Sequence, residues 1–309
     1  MSDPVSRLRE NIAQVFLGHD AAIDRVICCL IARGHLLIED VPGVGKTVLA
    51  TALARSIDGH FCRVQLTPDL LPADVLGVSV FQRESGEFVF KRGPIFTNVL
   101  LADELNRTTP RTQSALLEAM NDGTVSIDGV THRLEQPFIV IATQNPGDFE
   151  GTYALPENQL DRFLMRVRLG YPSPADEARV LSVRPAAFAL PHLEPVLSLA
   201  DVTELQARAD AVRVDESILR YIVELATATR RHPDLRLGLS PRGSLALAQA
   251  ARARAVMQGR DYVLPDDVLD NVLPVCSHRV LARAPGSDAD GEATARVLAA
   301  VVRSLVPPG

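Results

Sequence analysis

The chain has 309 residues, 47% of them hydrophobic and 23% charged, with a formal net charge of −6 from 32 Lys+Arg against 38 Asp+Glu. That composition fits a globular protein long enough for two domains, and the acidic balance argues against broad, non-specific binding to nucleic acid. Cys28 and Cys29 are adjacent on an apolar stretch and have no zinc-ligand spacing; with Cys62 and Cys276 they suggest no disulfide framework, so a reducing, cytoplasmic setting is expected. The polar residues 1–10 do not read as a signal peptide, and no apolar run reaches the length of a membrane span.

Residues 5–16 carry Leu8, Ile12, Val15 and Phe16 at helical spacing. Gly18 breaks that pattern, and residues 21–32 predict a second, more apolar helix ended by Gly34. Leu36, Leu37 and Ile38 form a short buried strand, Asp40-Val41-Pro42-Gly43-Val44-Gly45-Lys46-Thr47 follows, and residues 48–57 predict a helix. Strand, glycine-bearing loop, helix is the setting a phosphate loop requires. Gly43 and Gly45 let the backbone turn its N–H groups toward phosphate oxygens, and the helix N-terminus adds partial positive charge. Lys46 can reach the β- and γ-phosphates, and the Thr47 hydroxyl can ligate Mg²⁺. Pro42, Gly43, Val44, Gly45, Lys46, Thr47 and Val48 are thus the expected nucleotide-binding set. The first glycine of the general G-x-x-x-x-G-K-T pattern is Asp40 here, and a carboxylate beside a triphosphate needs an explanation.

Residues 61–66 alternate like a strand and 68–76 predict a short helix. Residues 78–90 predict a β-hairpin, with Phe81 before and Phe88 and Phe90 after Ser85-Gly86. Residues 99–102 are a wholly apolar strand ending in Asp103-Glu104, and two carboxylates at such a strand end suit a metal and a water. Asp103 would hold Mg²⁺ and Glu104 would act as general base on the attacking water. Thr109 caps a helix with Pro110 in its first turn and Ala115, Leu116, Ala119 and Met120 on its buried face. A second hairpin over 124–134 turns at Asp128-Gly129.

Residues 138–143 predict another buried strand, ending in Gln144-Asn145-Pro146. The Asn145 amide can orient a water, although a turn before Pro146 would use an asparagine too. Residues 157–163 predict a helix and 167–169 a last core strand. Arg162 is the residue type that neutralises charge in phosphoryl transfer, while a surface ion pair is the commoner fate of an arginine. Strands alternating with helices predict an α/β fold, a parallel sheet with helices on both faces.

Tyr171-Pro172-Ser173-Pro174 is the natural hinge, dividing the chain into domains 1–172 and 173–309. Beyond it only helices are expected, over 201–210, 216–231, 241–257, 265–272 and 292–305, with a loose loop at 284–291. Ser240 is a good cap and Pro241 a good first helical residue, so Arg242 would project from a helix start. A cation there opposes the helix dipole and calls for a counter-anion, which a γ-phosphate across the hinge would supply.

Taken jointly, Pro42 to Thr47, Asp103-Glu104-Leu105-Asn106-Arg107, Ala142-Thr143-Gln144-Asn145-Pro146, Leu160-Asp161-Arg162-Phe163 and Ser240-Pro241-Arg242 resemble the motifs of AAA+ ATPases. Within them the chain is similar to the MoxR family through residues 112–120, Asp128-Gly129-Val130-Thr131-His132 and Gly151-Thr152-Tyr153 with Leu155-Pro156-Glu157. The resemblance implies a P-loop NTPase domain with two inserted β-hairpins, followed by an all-α lid. It assigns Lys46 and Thr47 to Walker A, Asp103 and Glu104 to Walker B, Asn145 to sensor 1 and Arg242 to sensor 2. Arg162 becomes the arginine finger offered to a neighbouring subunit, and Gly18, within Phe16-Leu17-Gly18-His19, falls where the family contacts adenine.

The same resemblance implies ATP and Mg²⁺, a ring-shaped homo-oligomer (a hexamer), and chaperone-like remodelling of client proteins with a von Willebrand factor A domain partner. Two other functions stay open. One is a nucleic-acid-remodelling motor, disfavoured because Lys91-Arg92 is the nearest basic pair to either hairpin. The other is a nucleotide-gated scaffold with little turnover.

Overall fold

The computed structural model describes residues 3–41, 43–84, 86–144, 152–283 and 291–308. Of the expected site residues, Pro42 and Asn145 lie outside the described residues, as does most of the 284–291 loop. In chain order, α1 (Pro4–Ala13) and α2 (Asp20–Ile31) lead into β1 (Leu36–Glu39), α3 (Lys46–Ser56), β2 (Phe61–Gln65) and the short α4 (Pro72–Leu76). A hairpin of β3 (Gly77–Gln82) and β4 (Glu87–Arg92) follows, then β5 (Val99–Asp103), a single 3-10 turn at Leu105–Arg107 and α5 (Pro110–Asp122). A second hairpin of β6 (Thr124–Ile127) and β7 (Val130–Arg133) precedes β8 (Ile139–Gln144), the one-turn α6 (Glu157–Leu160) and β9 (Met165–Val167). The remainder comprises α7 (Pro174–Val183), α8 (Pro185–Phe188), α9 (Leu199–Ala211), α10 (Glu216–Arg231), β10 (Leu235–Leu237), α11 (Pro241–Met257), α12 (Pro265–Cys276), β11 (Leu281–Ala282) and α13 (Glu292–Ser304).

The apolar runs meet in one five-stranded sheet of order β2-β5-β8-β1-β9. β5 pairs parallel with both β2 and β8, in a register that sets Asp103 beside Gln65 and Ala102 beside Ala142. Residues 99–102 and 139–143 are buried throughout, as strands covered on both faces must be. A parallel sheet of this kind gathers the carboxyl ends of its strands at one edge, the usual place for a ligand crevice.

Two compact units form, each from separate stretches: residues 1–23, 37–155 and 168–200 in one, and 24–36, 156–167 and 201–309 in the other. In the second unit, α10 buries Ile218, Tyr221, Ile222, Leu225, Ala226 and Thr229, the recurrence that makes one helical face apolar. α11 contributes Leu247 and the buried alanines Ala250, Ala251 and Ala253, whose small side chains let neighbouring helices approach closely. Cys28 and Cys276 are core residues of this unit, their thiols pushed up to about 12 by burial. Among the described residues no helix is long and apolar enough to cross a membrane.

Both expected hairpins form. β6 and β7 close on Asp128 and Gly129, each at positive φ (52° and 79°), the conformation of a two-residue type I′ turn. In the β3–β4 hairpin Phe81 opposes Phe88, their ring centroids 5.3 Å apart and both side chains exposed.

Several boundaries differ from the sequence expectation. α3 begins at Lys46, two residues early, because Gly45 adopts the left-handed conformation at its N-cap. The helix expected over 157–163 stops after Leu160, and the strand expected at 167–169 lies instead at Met165–Val167. α12 continues to Cys276 with Pro274 inside it. Helices α7 and α8 were not anticipated, although Ser173 accepts the Asp176 N–H as a normal cap. Nor is the stretch beyond the hinge helical throughout: β10 and β11 make a two-stranded antiparallel ribbon too short to register as a period.

Candidate functional site

The turn that begins at Asp40 is fixed by that residue's own carboxylate. Oδ1 accepts the Val41 N–H at 2.8 Å, and Oδ2 accepts those of Leu169 at 2.6 Å and Gly170 at 2.7 Å. Asp40 is 9% exposed. Its charge is therefore matched by backbone dipoles of the first unit, which answers the objection that a carboxylate here would repel a triphosphate. The Asp40 carbonyl in turn accepts the Lys46 ammonium at 2.6 Å.

Gly43 and Gly45 both have positive φ, 89° and 92°. At Gly45 a second constraint applies: an added Cβ would stand 2.9 Å from the Phe16 ring. Lys46 and Thr47 then occupy the first turn of α3, where backbone N–H groups lack intrahelical partners. Burial lowers the Lys46 ammonium from its ordinary range, against the attraction of Asp40, Asp103 and Glu104.

A cleft of about 330 Å³ is lined by Gly45, Lys46, Thr47, Asp103 and Glu104, so the loop and the strand-end carboxylates come together as expected. Asp103 Oδ1 accepts the Thr143 hydroxyl at 2.6 Å, and Oδ2 receives Arg63 Nη2 at 2.6 Å and Nε at 3.2 Å. Thr143 Oγ1 also accepts the Glu104 N–H at 2.9 Å, so one hydroxyl on β8 ties both carboxylate residues together. Glu104 sits at φ 58°, and its Oε2 lies 3.3 Å from Arg107 Nε. Gln144, immediately before Asn145, donates its side-chain amide to the Glu39 carboxylate.

Thr47 and Asp103 both line the cleft and offer hard oxygen donors. No group of three or more His, Cys, Asp or Glu among the described residues makes an all-protein cage. Magnesium in phosphoryl-transfer sites is held by one or two protein oxygens together with substrate phosphates, so this donor set fits Mg²⁺ brought in with a nucleotide. Arg63 and Thr143 went unrecognised in the sequence. Arg63 has a signal in retrospect, since it shares a strand face with Gln65, the residue paired with Asp103.

Beside the loop, a mainly apolar cavity of about 380 Å³ is lined by Phe16, Leu17, His19, Val44, Val48 and Pro172. Gly18 lies between two of these residues, with φ 78° and no room for a Cβ, which would come within 2.8 Å of Asp176. His19 stacks on Phe16 with centroids 4.9 Å apart. A mainly apolar cavity of this volume can take a planar heterocycle.

Arg162 and Arg242 belong to the second unit. Ser240 caps α11 by accepting the Gly243 N–H at 3.1 Å, and Arg242 projects from the first turn as expected. Within the unit it pairs with Asp161, whose Oδ2 is 3.7 Å from Arg242 Nε. Arg162 follows Asp161 directly, half-buried in the turn that ends α6.

Residues 35–165 match the family described as the ATPase family associated with various cellular activities (AAA), and residues 227–300 match the AAA lid domain. Over 259 residues the chain is 52% identical to the uncharacterized protein YeaC of Bacillus subtilis, covering 84% of this chain and 81% of that one. It is 40% identical over 283 residues to Chaperone MoxR1 of Mycobacterium tuberculosis, covering 88% and 74% of the two chains. A crystal structure from Cytophaga hutchinsonii superposes with a TM-score of 0.90 at 35% identity, over 99% of this chain and 95% of the other.

Proposed function

The chain belongs to the MoxR family of AAA+ ATPases, and from that premise we propose that it hydrolyses ATP to ADP and phosphate and uses the cycle to remodel client proteins. The observation that carries this reading is the cleft in which Lys46 and Thr47 face Asp103 and Glu104. In this account Lys46 leaves the Asp40 carbonyl for the β- and γ-phosphates, and backbone N–H groups from Gly43 to Val48 cradle the chain of phosphates. Thr47 and Asp103 hold Mg²⁺, which when bound neutralises charge on the β- and γ-oxygens. Glu104 takes the proton of the attacking water and Asn145 orients that water. The purine enters the apolar cavity beside Leu17, Gly18 and His19.

Arg242 acts as a sensor of the nucleotide in its own chain, and Arg162 completes the site of a neighbour. Hydrolysis then requires a ring, by family resemblance a hexamer, working in the cytoplasm with a von Willebrand factor A domain protein. The functional division runs at residue 172, nucleotide domain before and lid after. An arginine supplied in this way accelerates turnover by about 10³- to 10⁵-fold in related phosphoryl-transfer systems.

A second reading, a nucleotide-gated scaffold with little turnover, is favoured by the pairing of Glu104 with Arg107 and of Asp103 with Arg63. Phosphate release by the wild-type chain and by Glu104→Gln, each with and without single-stranded DNA, separates the possibilities. Turnover that Glu104→Gln loses, and that DNA leaves unchanged, supports the remodelling ATPase. Equal rates in the two proteins favour the scaffold.

A further inference from the structure

Arg279 is an unusually committed arginine. Its side chain is 3% exposed, and its donors converge on the turn that carries Arg162. Nε donates to Asp161 Oδ1 at 2.7 Å, and Nη2 donates to the carbonyls of Asp161 at 3.1 Å and Phe163 at 2.6 Å. Nη1 donates to the Leu164 carbonyl at 3.0 Å and to that of Val275. The carbonyls on both sides of Arg162 are thus gripped by one planar guanidinium, a geometry no other side chain can supply. The clamp also explains why α6 ends after one turn, since these carbonyls are turned toward Arg279 rather than along a helix axis.

The other carboxylate oxygen of Asp161 faces Arg242. A single aspartate therefore stands between a buried arginine that fixes the Arg162 turn and the exposed arginine at the start of α11. All four residues lie in the second unit, so these contacts do not depend on how the two units are arranged.

We propose that Arg279 is the positioning residue for Arg162, holding it in the pose in which it serves a neighbouring subunit, and that Asp161 couples that pose to the state of Arg242. This inference rests on the reading of Arg162 as an arginine acting in trans. When Arg242 turns to a phosphate it withdraws charge from Asp161, whose full carboxylate then falls to Arg279 and stiffens the turn. The chain holding triphosphate thereby presents its finger most firmly to the next one.

Mixed oligomers test this by assigning each lesion to a side of the interface. Arg279→Lys keeps a charge for Asp161 but cannot span the carbonyls, so ATP binding by calorimetry stays unchanged while phosphate release falls by about 100-fold, the size expected of a displaced reacting group. Mixed with Lys46→Ala, whose finger is intact, the Arg279→Lys chain regains activity; mixed with Arg162→Ala it does not, because both lesions lie on the finger side. Asp161→Asn is the second variant should the lysine chain melt below the assay temperature, and it too fails to complement Arg162→Ala. Rescue of Arg162→Ala by either variant, or wild-type turnover by Arg279→Lys, overturns the inference. The pair Arg162→Ala with Lys46→Ala is the control. If that pair shows no rescue in mixed rings verified by mass, the trans reading itself falls, and the inference with it.

Discussion

The backbone N–H of Gly170 and the carboxylate of Asp40 are 2.7 Å apart, and this bond joins the start of the phosphate loop to the segment that leads into α7. With Leu169 and Val41 the carboxylate accepts three N–H groups. An asparagine offers one acceptor oxygen and turns an NH₂ group toward the remaining donors. Asp40→Asn should therefore cost about 1–3 kcal/mol of stability, as unsatisfied buried donors do, and lower the melting temperature. Asp40→Gly, although it restores the common loop residue, should be no more stable, because Asp40 is not among the residues at positive φ and a glycine relieves no strain there. Melting of either variant at the wild-type temperature would contradict the role assigned to the carboxylate.

Lys46 and Arg63 are the cations lining the cleft, and at Lys46 burial outweighs the attraction of Asp40, Asp103 and Glu104. Lys46→Ala removes the positive side chain that the loop presents to the phosphates and leaves the acidic pair Asp103 and Glu104 lining the same cleft. ATP binding measured by calorimetry should then be undetectable at concentrations that saturate the wild type. Undiminished affinity would refute the assignment of the loop.

Glu104 is held by its backbone, at φ 58° with its N–H on Thr143, rather than by its carboxylate alone. Glu104→Gln keeps that backbone and the side-chain shape but removes the base. Phosphate release should fall by about 10²- to 10⁴-fold with ATP binding retained, the range usual for a lost general base. Loss of binding together with turnover would indicate a structural role instead.

Local chemistry explains which parts of this architecture could be read in advance. The caps Thr109 and Ser240 with their following prolines, the Asp128-Gly129 turn, and the apolar runs of β5 and β8 each announce themselves within a few residues. α10 and α11 have the bounds their periodicity predicts. What escaped was set by partners distant in the chain. α6 is shortened by Arg279, 118 positions away, and Asp40 is satisfied by backbone 129 and 130 positions on. Arg63 and Thr143 reach Asp103 from neighbouring strands, and only the pairing register reveals them. Arg242 was expected to need an anion, and the second unit places Asp161 beside it.

His278 provides a test of the buried cluster that requires no nucleotide. His278 Nε2 lies 2.7 Å from Arg279 Nη1 and 3.0 Å from the Phe163 carbonyl, and a second cation buried against that guanidinium is disfavoured, so the imidazole is neutral. The Phe163 carbonyl also accepts from Arg279 Nη2 at 2.6 Å. Burial, and the charges of Arg279 and Arg166 after it, hold the imidazole well below its ordinary value of 6.5. The unfolded chain consequently takes up a proton near pH 6.5 that the folded chain refuses, so it binds more protons there and stability rises with pH through that region. In the opposite direction, each unit of acidification below about 6.5 should remove about 1.4 kcal/mol through this one group until the folded value is reached. Denaturant titrations at pH 7.5, 6.5 and 5.5 should show that slope, and His278→Gln, which keeps a polar side chain but has nothing to titrate, should reduce it by one proton. An unchanged slope in His278→Gln would mean that the imidazole is protonated in the folded protein, and the neutral ring assigned beside Arg279 would be refuted.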